Sequence, residues 1–176
     1  MPRYIVSSTE GHLPPEVYRI IRPLSGRPAF RILYNPVMEY ARSPAEHRVL
    51  NGYIRSASVN DDDDNVYLYS SISGETILES GEVVLEREEF ILLSYWQKLI
   101  RITIDYAKLE FERTKVYWLN WADRSVKLSE YGTLVSRSLL VLKLMSYDKS
   151  GAILAAVTTS IPETAGDVRN WAYRYC

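Results

Sequence analysis

The sequence predicts a mainly β protein with α-helices at its end: an antiparallel β-sandwich over residues 17–100, then two helices and an irregular tail. Three observations predict it. Between Val17 and Trp96, short stretches of apolar–polar alternation recur at even spacing and are punctuated by Gly52, Gly74 and Gly81, the pattern of a sandwich rather than of a parallel sheet. After Trp96 the apolar period changes from two to about 3.6. From Ala152 onward the text turns to hydroxyls, a Pro-Glu turn and interleaved aromatics and arginines.

At 176 residues there is room for one domain with a sizeable core. Lys and Arg number 21 against 22 Asp and Glu, so there is no electrostatic footprint for nucleic acid or an anionic membrane. The single cysteine, Cys176, excludes an internal disulfide. With no charged-then-apolar leader and no long uncharged apolar run, the expected location is cytoplasmic.

Residues 1–16 are polar, end in Pro14-Pro15 and read as a loosely held arm. Residues 17–24 alternate Val17, Arg19, Ile21 against Tyr18, Ile20, Arg22, which predicts a strand. Ser25-Gly26-Arg27-Pro28 is a turn, and residues 30–41 read as a long strand bent at Asn35-Pro36, giving a first antiparallel pair. Further strands are expected at 48–58, 65–71, 75–78, 83–86 and 89–96.

The run from Asn60 to Asn65 lacks a calcium loop's glycine and glutamate, since Val66 and Ile72 hold those places, so it reads as a solvated hairpin tip. Glu82, Glu86, Glu88 and Glu89 read as solvated. His12 and His47 have no Ser, Asp or Cys at useful sequence spacing. No metal, cofactor, phosphate-loop or nucleophile motif appears.

Residues 101–128 are expected to form a linker helix capped by Thr103, with Ile104, Ala107, Phe111, Trp118, Trp121 and Ala122 inward and Glu110, Glu112, Arg113 and Lys115 outward. A second helix, 129–147, carries Leu134, Val135, Ser138, Leu142 and Met145 on one stripe, broadened by Leu139, Leu140 and Val141. It is apolar nearly all round. Such a helix expects burial on more than one side.

The tail is the one segment composed like a site. Arg169, Asn170, Trp171, Tyr173, Arg174 and Tyr175 alternate ring faces, on which a pyranose C–H face stacks, with planar donors that suit sugar hydroxyls. Glu163 reads as the cap of a short helix begun by Pro162.

The wording from Leu142 to Glu163, with Met145-Ser146-Tyr147, Gly151-Ala152-Ile153 and Thr158-Thr159-Ser160-Ile161-Pro162-Glu163, and then Val168-Arg169-Asn170-Trp171-Ala172-Tyr173-Arg174-Tyr175-Cys176, resembles the prokaryotic glucoamylase and trehalase-like members of glycoside hydrolase family 15. Glu112 to Trp118 resembles that family's linker and Val17 to Gly26 its sandwich. Val157 stands for the family's Pro and Ala172 for its Asp.

The resemblance implies an incomplete supersandwich-like domain, a linker, and from residue 129 the first helix and start of a truncated helical barrel. It implies inverting hydrolysis of α-glucosidic bonds in maltodextrin or trehalose by two glutamic acids held roughly 6.5–9.5 Å apart. Both would lie beyond Cys176, so no catalytic residue is expected here and a fragment inactive by itself is. Tyr173, Trp171 and Arg174 fall where the family lines its substrate site. α-Glucan or trehalose is the implied ligand. The alternative is a non-catalytic β-sandwich protein acting in oligomerisation or weak carbohydrate binding, a homo-oligomer closed through strand edges and Leu134, Leu139, Leu142 and Met145.

Overall fold

The computed structural model describes residues 16–39, 42–61, 63–100, 102–125, 128–147 and 150–154. Its body is antiparallel β-sheet followed by helices, as the change of period predicts. The strands are β1 (Glu16–Ile21), β2 (Ala29–Arg31), β3 (Val37–Met38), β4 (Ser43–Leu50), β5 (Tyr53–Ser58), β6 (Asn65–Ser70), β7 (Glu82–Val84) and β8 (Glu89–Tyr95). The helices are α1 (Gly74–Leu78), α2 (Ile104–Asp123) and α3 (Gly132–Met145). One six-stranded sheet runs β1-β8-β6-β5-β4-β3, and β2 and β7 form a two-stranded ribbon. The chain divides into two compact units, Met1–Lys115 and Val116–Cys176, with the boundary inside α2.

Strand alternation gives the large sheet two used faces. On one, Tyr18, Tyr69, Phe90 and Leu92 cluster with Ala107 of α2, and Ile20, Tyr53, Tyr67 and Tyr106 pack around them. On the other, Ile54, Leu68 and Ile91 cluster with Ile77 of α1, joined by Ile32 and Tyr34 from the segment after β2. Central strands β6 and β8 therefore read as nearly continuous apolar runs. Leu92 is fully enclosed and Ile54 is 1% exposed, and each such side chain contributes about 1.5–3 kcal/mol.

Several expectations about the elements need correction. Residues 48–58 are not one strand but the hairpin β4–β5, with Leu50 opposite Tyr53 and Asn51-Gly52 as its turn; Gly52 sits at φ +90°, where a side chain would be strained. Residues 75–78 belong to α1, because Ser73 caps it by accepting from the Thr76 N–H at 3.1 Å. A Cβ on Gly74 would come within 2.9 Å of Val49 Cγ1, so glycine lets α1 lie close against β4.

The long strand 30–41 is two short ones, β2 and β3, in different sheets. The expected first hairpin does not form: β1 pairs with β8, Val17 opposite Leu93, and β2 pairs with β7. Finally, the buried face of α2 is turned from the expected one. Ala107, Glu110 and Thr114 are its buried residues, while Phe111 is 38% exposed. Thr103 does cap it, accepting from the Tyr106 N–H at 3.2 Å. The second helix begins at Gly132, later than expected, after Tyr131 at φ 58° with no side-chain cap.

Candidate functional site

The sequence-predicted sugar-site residues Trp171, Tyr173 and Arg174 lie outside the described residues, as do Glu163, Ala172 and His12. The chemistry-bearing groups that are described gather in three places, all within the first unit.

The first lies under the start of α2. Positions 107, 110 and 114 recur at three and four, so one stripe of the helix faces the sheet. Opposite it, alternation puts Glu16 and Tyr18 of β1 on the same face. The Tyr18 hydroxyl donates to Glu16 Oε2 at 2.6 Å, and Arg113 Nη1 donates to Glu110 Oε1 at 2.7 Å. The Thr114 hydroxyl donates to the Glu110 carbonyl at 2.8 Å. Burial holds the Glu16 carboxyl above the usual carboxylate range, offset by the Tyr18 hydrogen bond and reinforced by the nearby Glu110 charge. Burial also pushes the Tyr18 and Tyr106 hydroxyls up.

Two carboxylates and two phenols side by side are the raw material of acid–base chemistry. Glu16 and Glu110 are only 8% and 4% exposed, however, and their oxygens are engaged by Tyr18 and Arg113. A substrate oxygen would have to displace those partners. Those hydrogen bonds stay within one element each, Tyr18–Glu16 in β1 and Arg113–Glu110 in α2; the clasp between sheet and helix is the contact of the Tyr18 and Tyr106 rings, centroids 6.4 Å apart.

The second place is the rim of that interface. Glu88 accepts from both Arg22 and Lys108, tying the turn before β8 to the end of β1 and to α2. The hydrogen bonds of Lys108 and then Arg22 draw the Glu88 carboxyl below its usual range. An open groove of about 890 Å3 runs here, lined by Tyr18, Ile20, Arg22, Lys108 and Phe111 among others. Glu89, expected to be solvated, departs from that reading: its Oε1 meets Arg87 Nε at 3.1 Å, and its Oε2 is buried without a hydrogen-bond partner among the described residues.

The third place is on the other face of the sheet. His47 on β4 stands opposite Ser56 on β5, and its Nδ1 lies 2.9 Å from Ser56 Oγ. The Tyr34 hydroxyl lies 2.8 Å from the same oxygen, with the Tyr34 and His47 rings 5.5 Å apart. Sequence spacing hid this pair, because a hairpin register joins residues nine apart; the Asn51-Gly52 turn was the signal that could have found it. Ser56 is wholly buried, so the hydroxyl is a structural node rather than a nucleophile. Burial pushes the His47 imidazole down and the Tyr34 hydroxyl up. Among the described residues no group of three or more His, Cys, Asp or Glu could hold a metal ion.

These placements define a class first: an antiparallel β body clasped to a helix, whose ionisable groups hold the structure together. The relatives are more particular. Over 163 residues the chain is 29% identical to a trehalase of Thermoplasma acidophilum, taking in 92% of this chain and 28% of that protein. Over 167 residues it is 28% identical to a trehalase of Thermoplasma volcanium, covering 92% of this chain and 26% of that one. A shorter match, 51% identical over 53 residues, joins 30% of this chain to 9% of trehalase 2 of Sulfolobus acidocaldarius. The chain is thus similar to trehalases over most of its length and spans about a quarter of the first two. No family model matches it, and no solved structure does.

Proposed function

We propose that this chain is the β domain, linker helix and opening of the catalytic domain of a trehalase-like hydrolase in glycoside hydrolase family 15, cytoplasmic and inactive by itself. The observation that carries the reading is the similarity to trehalases across 92% of the chain. The wording of the tail supports the finer family assignment. In this reading Tyr173 sits beneath the sugar ring being cleaved, Trp171 and Arg174 line the same site, and both catalytic glutamates are supplied by sequence beyond Cys176. The described carboxylates fit that division, since Glu16 and Glu110 are buried and already partnered.

The test is glucose release from trehalose and from maltotriose by the purified chain across a wide pH range. The expected result is none. Release that tracks the chain through purification and is lost in Glu163→Gln would overturn the inactive-fragment reading. An intact homologue extended beyond Cys176 should release glucose from one of the two sugars, and release from neither sinks the family assignment.

A second reading has its own observation. α3 has no buried residue, with Leu134 66% and Leu142 47% exposed, while Leu139 and Met145 are half-buried. A helix this apolar favours a covering partner, and a second copy is the proposal that goes with a non-catalytic role. Light scattering behind size exclusion should show a homo-oligomer that Leu142→Glu dissociates; a monomer at every concentration ends it.

A further inference from the structure

The six-stranded sheet ends differently on its two sides. One edge, β3, is only two residues long, which denies an incoming strand a template. The other edge, β1, runs six residues from Glu16 to Ile21 without proline or glycine, and among the described residues it pairs with β8 alone. In an antiparallel strand, alternate residues turn both N–H and C=O to the same side, so about half of the main-chain groups of β1 point away from β8.

The open groove of about 890 Å3 follows that edge. Tyr18, Arg19, Ile20, Ile21 and Arg22 all line it. Successive side chains leave a strand on opposite faces, so five in a row can border one groove only where it runs along the side of the strand. Lys108, Phe111 and Glu112 make the facing wall; spaced three and four apart, they form one stripe of α2. A strand edge set opposite a helix, with room between them, is a geometry in which an extended peptide is taken up as an added strand.

Charge selects the occupant. Arg19, Arg22 and Lys108 line the groove against one lining carboxylate, Glu112. Glu88 accepts from both Arg22 and Lys108, but its single charge cancels only one of the two. Two occupants close at hand are mismatched. A second copy pairing antiparallel through β1 would set cation against cation, Arg19 facing its own counterpart where the pairing centres there. Residues 1–15 hold one carboxylate, Glu10, and also carry Arg3. We infer that the groove takes an acidic segment of a different protein, extended along β1. Its main chain pairs with the free edge, its carboxylates meet Arg19 and Lys108, and an apolar side chain lies on Ile20 and Phe111. Six residues fill the edge, since six extended residues span roughly 20 Å. This inference is independent of the hydrolase reading.

Fluorescence polarisation of the full chain with a labelled peptide of three Glu-Val repeats tests it. The acidic peptide should bind at least about tenfold more tightly than its Lys-Val counterpart, and added salt should narrow the difference. Methylating every backbone nitrogen of the peptide keeps its charges and should abolish binding. Arg19 is exposed, so Arg19→Glu should melt near the parent temperature while weakening binding at least about tenfold. Hydrogen exchange should slow at Glu16–Ile21 when the peptide is added and stay unchanged at β3. Binding by the methylated peptide, equal affinity for the lysine peptide, undiminished binding in Arg19→Glu, or protection elsewhere than β1 would each overturn the assignment. So would a chain that takes up no acidic peptide because a second copy or its own residues hold the edge.

Discussion

The two long helices make opposite use of their apolar residues. α3 is the more hydrophobic, yet none of its residues is buried; α2 is mixed in composition and buries Ala107, Glu110 and Thr114. Hydrophobicity therefore does not say where a helix docks. What fixes α2 is fit: a methyl at Ala107 that lets the backbone approach Leu92 and Phe90, the Tyr106 ring set against Tyr18, and Lys108 paired with Glu88. α3 has the driving force without such a match among the described residues.

Substitutions should expose the contrast. The largest effect is expected from Leu92→Ala, which empties the centre of the cluster that receives α2 and should cost about 2–5 kcal/mol by denaturant unfolding. Leu142→Ala in α3 should cost little in the same assay, and equal losses would show that the two helices are packed alike. Ala107→Leu comes next, at about 1–3 kcal/mol, because the added carbons have no space beside Leu92. If Ala107→Leu is neutral, the close approach of helix and sheet is not what holds them.

The same contrast explains what could be read from the sequence. β6 and β8 were legible as apolar runs bounded by turn signals, and α2 because its helical period holds over 20 residues. The hairpin at Asn51-Gly52 was read through, since Val49, Tyr53 and Ile54 keep the run looking continuous, and α1 is too short to display a period. Pairing of β1 with β8 joins residues some 70 apart and leaves no local trace. The face of α2 was misjudged at Glu110 because a buried carboxylate looks polar until its arginine is seen. Trp96 was visible only as the last residue of a strand; its positive φ goes with a hydrogen bond from its N–H to the Asn65 carbonyl and one from Ser94 Oγ to the Gln97 carbonyl, which no spacing reveals.

A smaller effect is expected from Glu16→Gln, and its interest is its pH dependence. Burial raises the Glu16 pKa above its unfolded value of 4.5. The native state therefore holds that proton more tightly, and the stability it contributes is full below pH 4.5 and is lost as pH rises through the native pKa. Unfolding free energy of the parent should fall across that window while Glu16→Gln stays flatter. Parallel curves would mean that the clasp is indifferent to the charge on Glu16.

The smallest expected effect has the opposite sign. Glu88, held between Lys108 and Arg22 at the solvent edge, has its pKa lowered, so its contribution is present above the unfolded value and is lost as pH falls through the native one. Lying half-buried at the rim rather than in the core, it should also weaken with added salt, whereas the Glu16 effect should not. Glu88→Gln should thus lower the melting temperature slightly at neutral pH and low salt, and not at all in molar salt or strong acid. Melting curves of the two variants over pH and salt should diverge in opposite directions if one carboxyl is raised by burial and the other, at the rim, is lowered by its cations; a common direction would mean that both report the net charge of the chain and that the clasp has no separate role.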